Sequence, residues 1–225
     1  MTKRHPTDAS VRSDVEQFCG LVELLKKRHY IAKQLCEDEQ TRSLTQKTAN
    51  VFFSVVVDTL IDHFFLEVAK LSDSARSTIG KCENFTIANI LETVDWPPTV
   101  LEELRKLNES ICEFRGCIKP ARDKLLAHYD KETVSLGTPL GSFRPGEDRK
   151  VMDVLEQMCE LMHKTSAGVT YAMPSSGGRC VSDLKDAMRK ALAFNKLFAQ
   201  SKGEEQRRLL QCLNDVDRDL AGPHA

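Results

Sequence analysis

The sequence predicts an all-α fold of about seven helices in a single domain, and three observations lead to this prediction. Apolar residues recur at helical spacing through most of the chain. Segments rich in Gly, Pro and Ser separate these periodic stretches, and no stretch reads confidently as a β-strand. With 225 residues, 41% hydrophobic and 29% charged, the chain has enough apolar surface to bury a sizeable core.

Each predicted helix is an apolar-periodic stretch bounded by turn or proline signals. We predict helices over residues 14–35, 45–71, 85–94, 99–117, 148–171, 181–199 and 203–220, with the fourth continuing beyond Pro120 to about 129 or 133. The stretch 45–71 is the most apolar, and its length suits a helix buried on most sides. Trp96-Pro97-Pro98 ends the third helix, and the fourth begins after those prolines. We expect one domain over 1–225, with a core at 10–135 and additional helices at 148–220 packing on it.

Composition excludes several classes of function. A net charge of -1 provides no global basic field for nucleic acid, so any contact with RNA requires a local patch. The polar N-terminal residues form no secretory signal, and charged residues interrupt the longest apolar stretch, so we expect a cytoplasmic protein that does not span a membrane. The eight cysteines include no Cys-x-x-Cys pair, and we expect them to act mostly as small buried hydrophobes.

A metal site is the alternative for the acidic part of the second helix. Asp58 and Asp62, and His63 and Glu67, are neighbours on a helix, and di-metal bundles use Glu and His at such spacings. However, the two pairs point in different directions, and the chain has no second Glu-x-x-His. We therefore predict that the protein uses neither a metal nor a cofactor. Asp58 or Asp62 could instead add a polar group to the same cleft as His128.

The segment FRGCIKPARDKLLAHYDKET, residues 114–133, carries the most informative cluster of polar residues. It places Arg122, Asp123, His128 and Asp130 within nine residues of a predicted helix. Spacing alone is weak evidence, because Arg218 and His224 have the same separation in the C-terminal tail. The first pair differs because a packed helix can hold its side chains in place.

The stretch ARDKLLAHYD, residues 121–130, resembles the signature of the HEPN superfamily, and most closely its AbiU-type abortive-infection branch. The long apolar helix that ends FFLEVAKLSD, residues 64–73, also resembles the family. The resemblance implies a HEPN-like helical bundle in which Arg122 and His128 line an RNA-cleaving cleft, commonly at a two-fold interface. Asp123 then holds the polar position beside the arginine.

These residue types suit metal-free RNA cleavage, in which the ribose 2′-hydroxyl attacks the adjacent phosphorus. Such cleavage needs proton transfer and a cation, and imidazole titrates near neutrality whereas guanidinium keeps its charge. We predict Arg122 and His128 as catalytic, with Asp123 and Asp130 supporting them. Residues 105–131 carry seven basic against four acidic side chains, and the predicted RNA contacts are Arg115, Lys119 and Lys124.

Helix geometry predicts a homodimer. Six residues along an ideal helix turn the Arg122 and His128 side chains about 120° apart and separate them by about 9 Å. One copy alone is therefore a poor site. A long arginine could reach round or the helix could be distorted, and a two-fold dimer could bring the histidine of one protomer towards the arginine of the other.

Three other interpretations stay open. Arg122 and Asp130 could form a structural ion pair beside a half-buried His128. The chain could be a non-catalytic HEPN-like module that binds a nucleotide or a partner such as an antitoxin protein. It could also be a helical scaffold without a ligand site. The favoured hypothesis is an endoribonuclease acting on RNA as the toxin or effector of a defence system, and the defence role rests on the resemblance alone.

Overall fold

The structure is a computed structural model that describes residues 3–76, 83–121, 123, 143–173 and 178–221, with side chains to residue 216. Within these ranges the chain forms seven α-helices and no β-strand, which confirms the predicted all-α class. The helices are α1 (Ala9–Glu37), α2 (Glu39–Leu71), α3 (Ile87–Thr93), α4 (Pro98–Ala121), α5 (Glu147–Ala167), α6 (Gly178–Gln200) and α7 (Glu204–Ala221).

Local chemistry explains where several of these helices begin and end. Pro98 occupies the first position of α4, where its missing N–H and fixed φ cost nothing. The hydroxyl of Thr86 caps α3 by accepting from the N–H of Asn89. Helix α5 ends at Ala167, earlier than predicted, because Gly168 adopts a left-handed conformation (φ 72°) and donates its N–H to the carbonyl of Lys164. The predicted continuation of α4 beyond Ala121 lies outside the described residues, except for Asp123.

The chain divides into two compact units. The first contains Met1–Lys33 and Val55–Gly177, and the second contains Gln34–Ser54 and Gly178–Ala225. Helix α5 belongs to the first unit, where it packs against α4. The predicted single domain stays a prediction, and the division falls at different residues from the predicted core and additional helices.

One hydrophobic core holds the first unit together. Residues at helical spacing contribute to it from five helices: Val15, Phe18 and Val22 of α1, Phe64 and Val68 of α2, Ile87 and Ile90 of α3, Leu104, Ile111 and Phe114 of α4, and Leu155, Met158 and Met162 of α5. Trp96, which follows α3, is also buried and donates its indole N–H to the carbonyl of Ile90. Burying such side chains contributes about 1.5–3 kcal/mol each, which makes this core the main source of stability for the unit.

Helix α2 departs from the prediction that it is buried on most sides. Its last turns contribute Phe64, Val68 and Leu71 to the core, but Val51, Phe52 and Val55 are exposed. The helix is also interrupted at Ala49, whose φ and ψ of -155° and 64° are not helical. Apolar residues lie on all sides of this part of the helix, and these three are left exposed.

The second unit is held by a smaller set of contacts. Asp38 caps α2 by accepting from the backbone N–H and the hydroxyl of Thr41, and its carboxylate also forms an ion pair with Lys185 of α6 (2.8 Å). The hydrogen bonds from Lys185 and Thr41 hold the pKa of Asp38 far below its ordinary value. The carboxylate therefore keeps its charge, and with it the cap, across the range in which proteins are usually studied.

Two further sequence expectations concern membranes and cysteines. Among the helices in the described ranges, none has the length and apolar character needed to cross a membrane. The cysteines divide between environments: Cys19 and Cys159 are buried in the core as expected, whereas Cys112, Cys180 and Cys212 are exposed. The expectation that the cysteines are small buried hydrophobes therefore holds for Cys19 and Cys159 but not for the three exposed cysteines.

Candidate functional site

The predicted site residues divide between described and undescribed parts of the chain. Four of them, Arg122, Lys124, His128 and Asp130, lie outside the described residues. Asp123, the predicted supporting residue, is partly buried, and Lys119 is exposed on the last turn of α4. The catalytic pair and its supports therefore stay a prediction.

Arg115, a predicted RNA contact, holds the end of α2 against α4. Its guanidinium donates one hydrogen bond to the backbone carbonyl of Ser72 (2.9 Å) and another to the carboxylate of Asp73 (2.6 Å). The last carbonyls of a helix have no partner within the helix, so this arginine satisfies a group that would otherwise need water. Any contact between Arg115 and RNA would have to compete with these two bonds.

An aromatic cluster lies near the C-terminal end of α4. Phe64 and Phe65 of α2 meet Phe114 of α4 and Phe143, which precedes α5, in edge-to-face contacts with ring centroids 5.2–6.3 Å apart. The imidazole of His29 of α1 lies against Phe64 at 4.7 Å. Phe114 is eight residues before Arg122, so this cluster fixes the helix that leads into the motif.

A buried ionic cluster lies beside these rings. The carboxylate of Asp148, in the first turn of α5, accepts from Nε2 of His29 (2.8 Å) and pairs with Nζ of Lys33 (2.9 Å). Burial acts to raise the pKa of Asp148, but the hydrogen bonds from His29 and Lys33 outweigh it and lower that pKa. The second oxygen of this carboxylate, Oδ1, is buried without a hydrogen-bond partner. Asp148 therefore stays ionised and orients the imidazole of His29.

A second histidine pairs with an arginine between α1 and α2. Nη1 of Arg28 lies 2.8 Å from Nε2 of His63, and because a guanidinium only donates, that nitrogen accepts and the imidazole is neutral. Burial and then the charge of Arg28 lower the pKa of His63, although Glu67, 3.8 Å away, acts in the opposite direction. The neutral form is thus stabilised, and its basic nitrogen is engaged by Arg28.

The described surface of the first unit includes a groove beside α4 and a cavity elsewhere. A groove of about 410 Å³ between α4 and α5 is lined in part by Phe114, Cys117 and Val151, with Glu113, Glu147 and Lys150 as its charged groups. Two carboxylates against one lysine do not favour a phosphate. A cavity of about 540 Å³ lies elsewhere, around Arg4, Arg76 and Glu92, away from the end of α4.

The acidic stretch of α2 does not assemble a metal-ligand set. Within the described parts of the chain, no group of three or more His, Cys, Asp or Glu side chains is placed to hold a metal ion. Asp62 has a raised pKa because of burial and the charge of Asp58. His63 lies 2.8 Å from Arg28 and 3.8 Å from the Glu67 carboxylate, so its nitrogen is already engaged by a cation.

The structure brings together polar residues that the sequence did not connect. His29 and Asp148 are 119 positions apart and Arg28 and His63 are 35 apart, so no local spacing could pair them. The only local signals are the i,i+4 relations of His29 with Lys33 and of His63 with Glu67. Both are common on helix surfaces and do not indicate a site.

Comparison with known families gives the class of the protein. The AbiU2 model of HEPN proteins matches residues 15–176, which include the whole ARDKLLAHYD motif and helices α2 to α5. The all-helical fold and this match define a HEPN-type protein. The chain belongs to the HEPN AbiU2 family, a group related to abortive infection, and the predicted AbiU-type resemblance is confirmed. No curated protein and no solved structure matches the chain.

Proposed function

We propose that this protein is a metal-independent endoribonuclease of the HEPN type and serves as the toxin or effector of a phage-defence or toxin–antitoxin system. The observation that carries the proposal is the family match over residues 15–176, because it includes Arg122 and His128 at the spacing of the family signature. The local excess of basic side chains over residues 105–131 supports an anionic ligand.

The proposed reaction is attack of a ribose 2′-hydroxyl on the adjacent phosphorus with departure of the 5′-oxygen. His128 takes the proton from the 2′-hydroxyl or delivers one to the leaving oxygen, a role that contributes about 10²–10⁴ in rate. Arg122 binds the phosphate through two parallel hydrogen bonds and stabilises the added negative charge. Asp123 and Asp130 support the pair, and Lys119 and Lys124 contact the RNA backbone.

The spacing of the active groups along the predicted helix supports a homodimer. Arg122 and His128 would point about 120° apart on an ideal helix, so one protomer alone would make a poor site for a single phosphate. A two-fold axis presents the histidine of one copy to the arginine of the other and repeats the arrangement on the opposite side.

Cleavage of RNA in the presence of EDTA tests the proposal. We expect the purified protein to leave 2′,3′-cyclic phosphate ends, and we expect His128→Ala to lower the rate by about 10²-fold or more. Gel electrophoresis and mass spectrometry of the fragments measure both. Activity that depends on Mg²⁺ or persists in His128→Ala contradicts the mechanism.

The matched control is His63→Ala, because His63 is the described histidine that also has an arginine partner. This variant should keep the cleavage activity, since Arg28 engages Nε2 of His63. If His63→Ala abolishes cleavage and His128→Ala does not, the active site lies between α1 and α2 instead. Absence of cleavage by the unaltered protein, with retained binding to RNA or nucleotides, favours the non-catalytic HEPN-like module.

A further inference from the structure

The second unit exposes more large apolar side chains than it buries. Among its described residues, the buried apolar side chains are Leu35, Val181 and Met188. The large apolar side chains that remain exposed are Val51 and Phe52 of α2, Leu197 of α6, and Leu210, Leu213 and Val216 of α7. Small units bury a low fraction of their surface, so each buried side chain matters for their stability. A core of three side chains is small for a unit built from several helices.

Helix α7 is the clearest case of an uncovered face. Leu209, Leu213 and Val216 follow one another at intervals of four and three residues, which is the spacing of a helix seam that packs on other helices. Leu209 is half-buried, Leu213 is 42% exposed and Val216 is 54% exposed. In proteins most of the stability of an amphipathic helix comes from packing of its apolar face, and this helix has 18 residues.

The charges of α6 and α7 are complementary. Helix α6 has a net charge of +3, from Arg179, Lys185, Arg189, Lys190 and Lys196 against Asp183 and Asp186. Helix α7 has a net charge of -2, from Glu204, Glu205, Asp215, Asp217 and Asp219 against Arg207, Arg208 and Arg218. An acidic amphipathic helix is a poor ligand for RNA or an anionic membrane, so its apolar face fits a protein partner with basic flanks.

A second copy of this chain supplies such a partner. Helix α6 carries the required positive charge and also exposes Leu197, beside the stacked rings of Phe194 and Phe198. In a two-fold arrangement the α7 of each copy meets the α6 of the other, so every favourable contact forms twice.

We propose that α6 and α7 form a self-association element, in which the α6–α7 pairs of two copies assemble into a four-helix bundle with each acidic α7 against the basic α6 of its partner. A bundle of four helices packed around a shared apolar core is a common helical architecture. Both helices lie beyond residue 176, where the family match ends, so this element adds to the HEPN part of the chain. The proposal names the surface of a dimer and does not rest on ribonuclease activity.

Replacing one residue of the seam tests the interface. Leu213→Asp places a carboxylate in the proposed apolar contact, and we expect the dimer dissociation constant to rise at least about tenfold, as for a central interface residue. Asn214→Asp makes the same change in charge at the adjacent exposed position and should leave the dimer intact. Light scattering with size-exclusion chromatography measures both masses, and circular dichroism checks that the helices remain.

A charge exchange tests which helices meet. Lys190→Glu with Lys196→Glu makes α6 acidic, and Glu204→Lys with Glu205→Lys makes α7 basic. Each variant should dimerise more weakly than the unaltered protein, and an equimolar mixture should restore dimers because both α6–α7 contacts are then complementary.

Three results would overturn the proposal: an unaltered protein that is monomeric at about 50 μM, a Leu213→Asp variant that dimerises like the Asn214→Asp variant, or a charge-exchange mixture that restores nothing. A dimer that survives Leu213→Asp would show that another surface joins the copies, and the proposed ribonuclease would still stand. Loss of RNA cleavage in His128→Ala with an intact dimer would leave this interface unaffected.

Discussion

At the scale of single residues, Asp148 is a buried ionic group that joins two helices of the first unit. It is 6% exposed and joins the first turn of α5 to His29 and Lys33 of α1. Removing one partner of a buried ion pair leaves the other charge uncompensated, which costs more than the pair contributes. The position of α5 against α1 therefore depends on this carboxylate.

We predict that Asp148→Asn lowers the free energy of unfolding by about 2–3 kcal/mol at pH 7, near the lower end for a buried pair because His29 and Lys33 keep some contact with water. The folded-state pKa of Asp148 is depressed, so its contribution is present above the unfolded pKa and is lost as pH falls through the lower, folded value. The difference from the unaltered protein should therefore shrink below about pH 4.

Urea unfolding at a series of pH values measures this difference. Asp153→Asn is the matched control, because it makes the same chemical change on the exposed side of α5 and should alter stability by less than about 0.5 kcal/mol. Equal losses in the two variants, or a loss in Asp148→Asn that does not depend on pH, would contradict the role assigned to the buried carboxylate.

At the scale of helices, the contact between α4 and the end of α2 depends on the shape of one guanidinium. Arg115 reaches both the Ser72 carbonyl and the Asp73 carboxylate, and its Nε is buried without a hydrogen-bond partner. Lysine has the same charge but only one compact donor group. Because both acceptors must be reached at once, this contact requires arginine at position 115, independently of any role of that residue in RNA binding.

We predict that Arg115→Lys lowers the free energy of unfolding by about 1–2 kcal/mol, since a lysine satisfies only one of the two acceptors. Thermal and urea unfolding measure the change. Lys106→Met on the same helix removes the exposed ion pair with Glu102 and should leave stability nearly unchanged, because solvent screens such a pair. An unchanged stability in Arg115→Lys would show that the contact of Arg115 with Ser72 and Asp73 contributes nothing beyond the charge of the side chain.

At the scale of the whole molecule, the proposed site and the proposed interface both require two copies of the chain. The motif precedes α5, whereas the self-association element follows it and lies beyond the family match. The same dimer could therefore be held by one part of the chain and act through another. Activity measured on mixed dimers separates these two roles.

We predict that two inactive variants, Arg122→Ala and His128→Ala, recover activity when mixed. If the arginine of one copy acts with the histidine of the other, each mixed dimer has one intact site, so an equimolar mixture should reach about a quarter of the unaltered rate. The cleavage assay in EDTA measures this, after mixing under conditions that allow subunit exchange. Recovery well below this value would indicate that Arg122 and His128 act within one protomer.

The sequence by itself determined the helical class, most helix positions and the family, because these depend on local periodicity, proline and glycine positions and a ten-residue motif. Pro98 and the apolar spacing of α4 act within a few residues of where they stand, whereas the sequence prediction missed the end of α5 at Gly168. The motif also named Arg122 and His128 as the residues to test, since a short signature is read without knowing its surroundings.

Only the tertiary structure decided which distant charges meet and which apolar residues remain uncovered. His29 and Asp148 pair across 119 positions because the core brings α1 and α5 together. Arg115, which the sequence assigned to RNA by its charge, is turned towards the end of α2 by the same packing. In the sequence, the exposed Val51, Phe52 and Leu213 look like core residues. Apolar periodicity predicts that one face of a helix is apolar, but it does not predict what packs against that face.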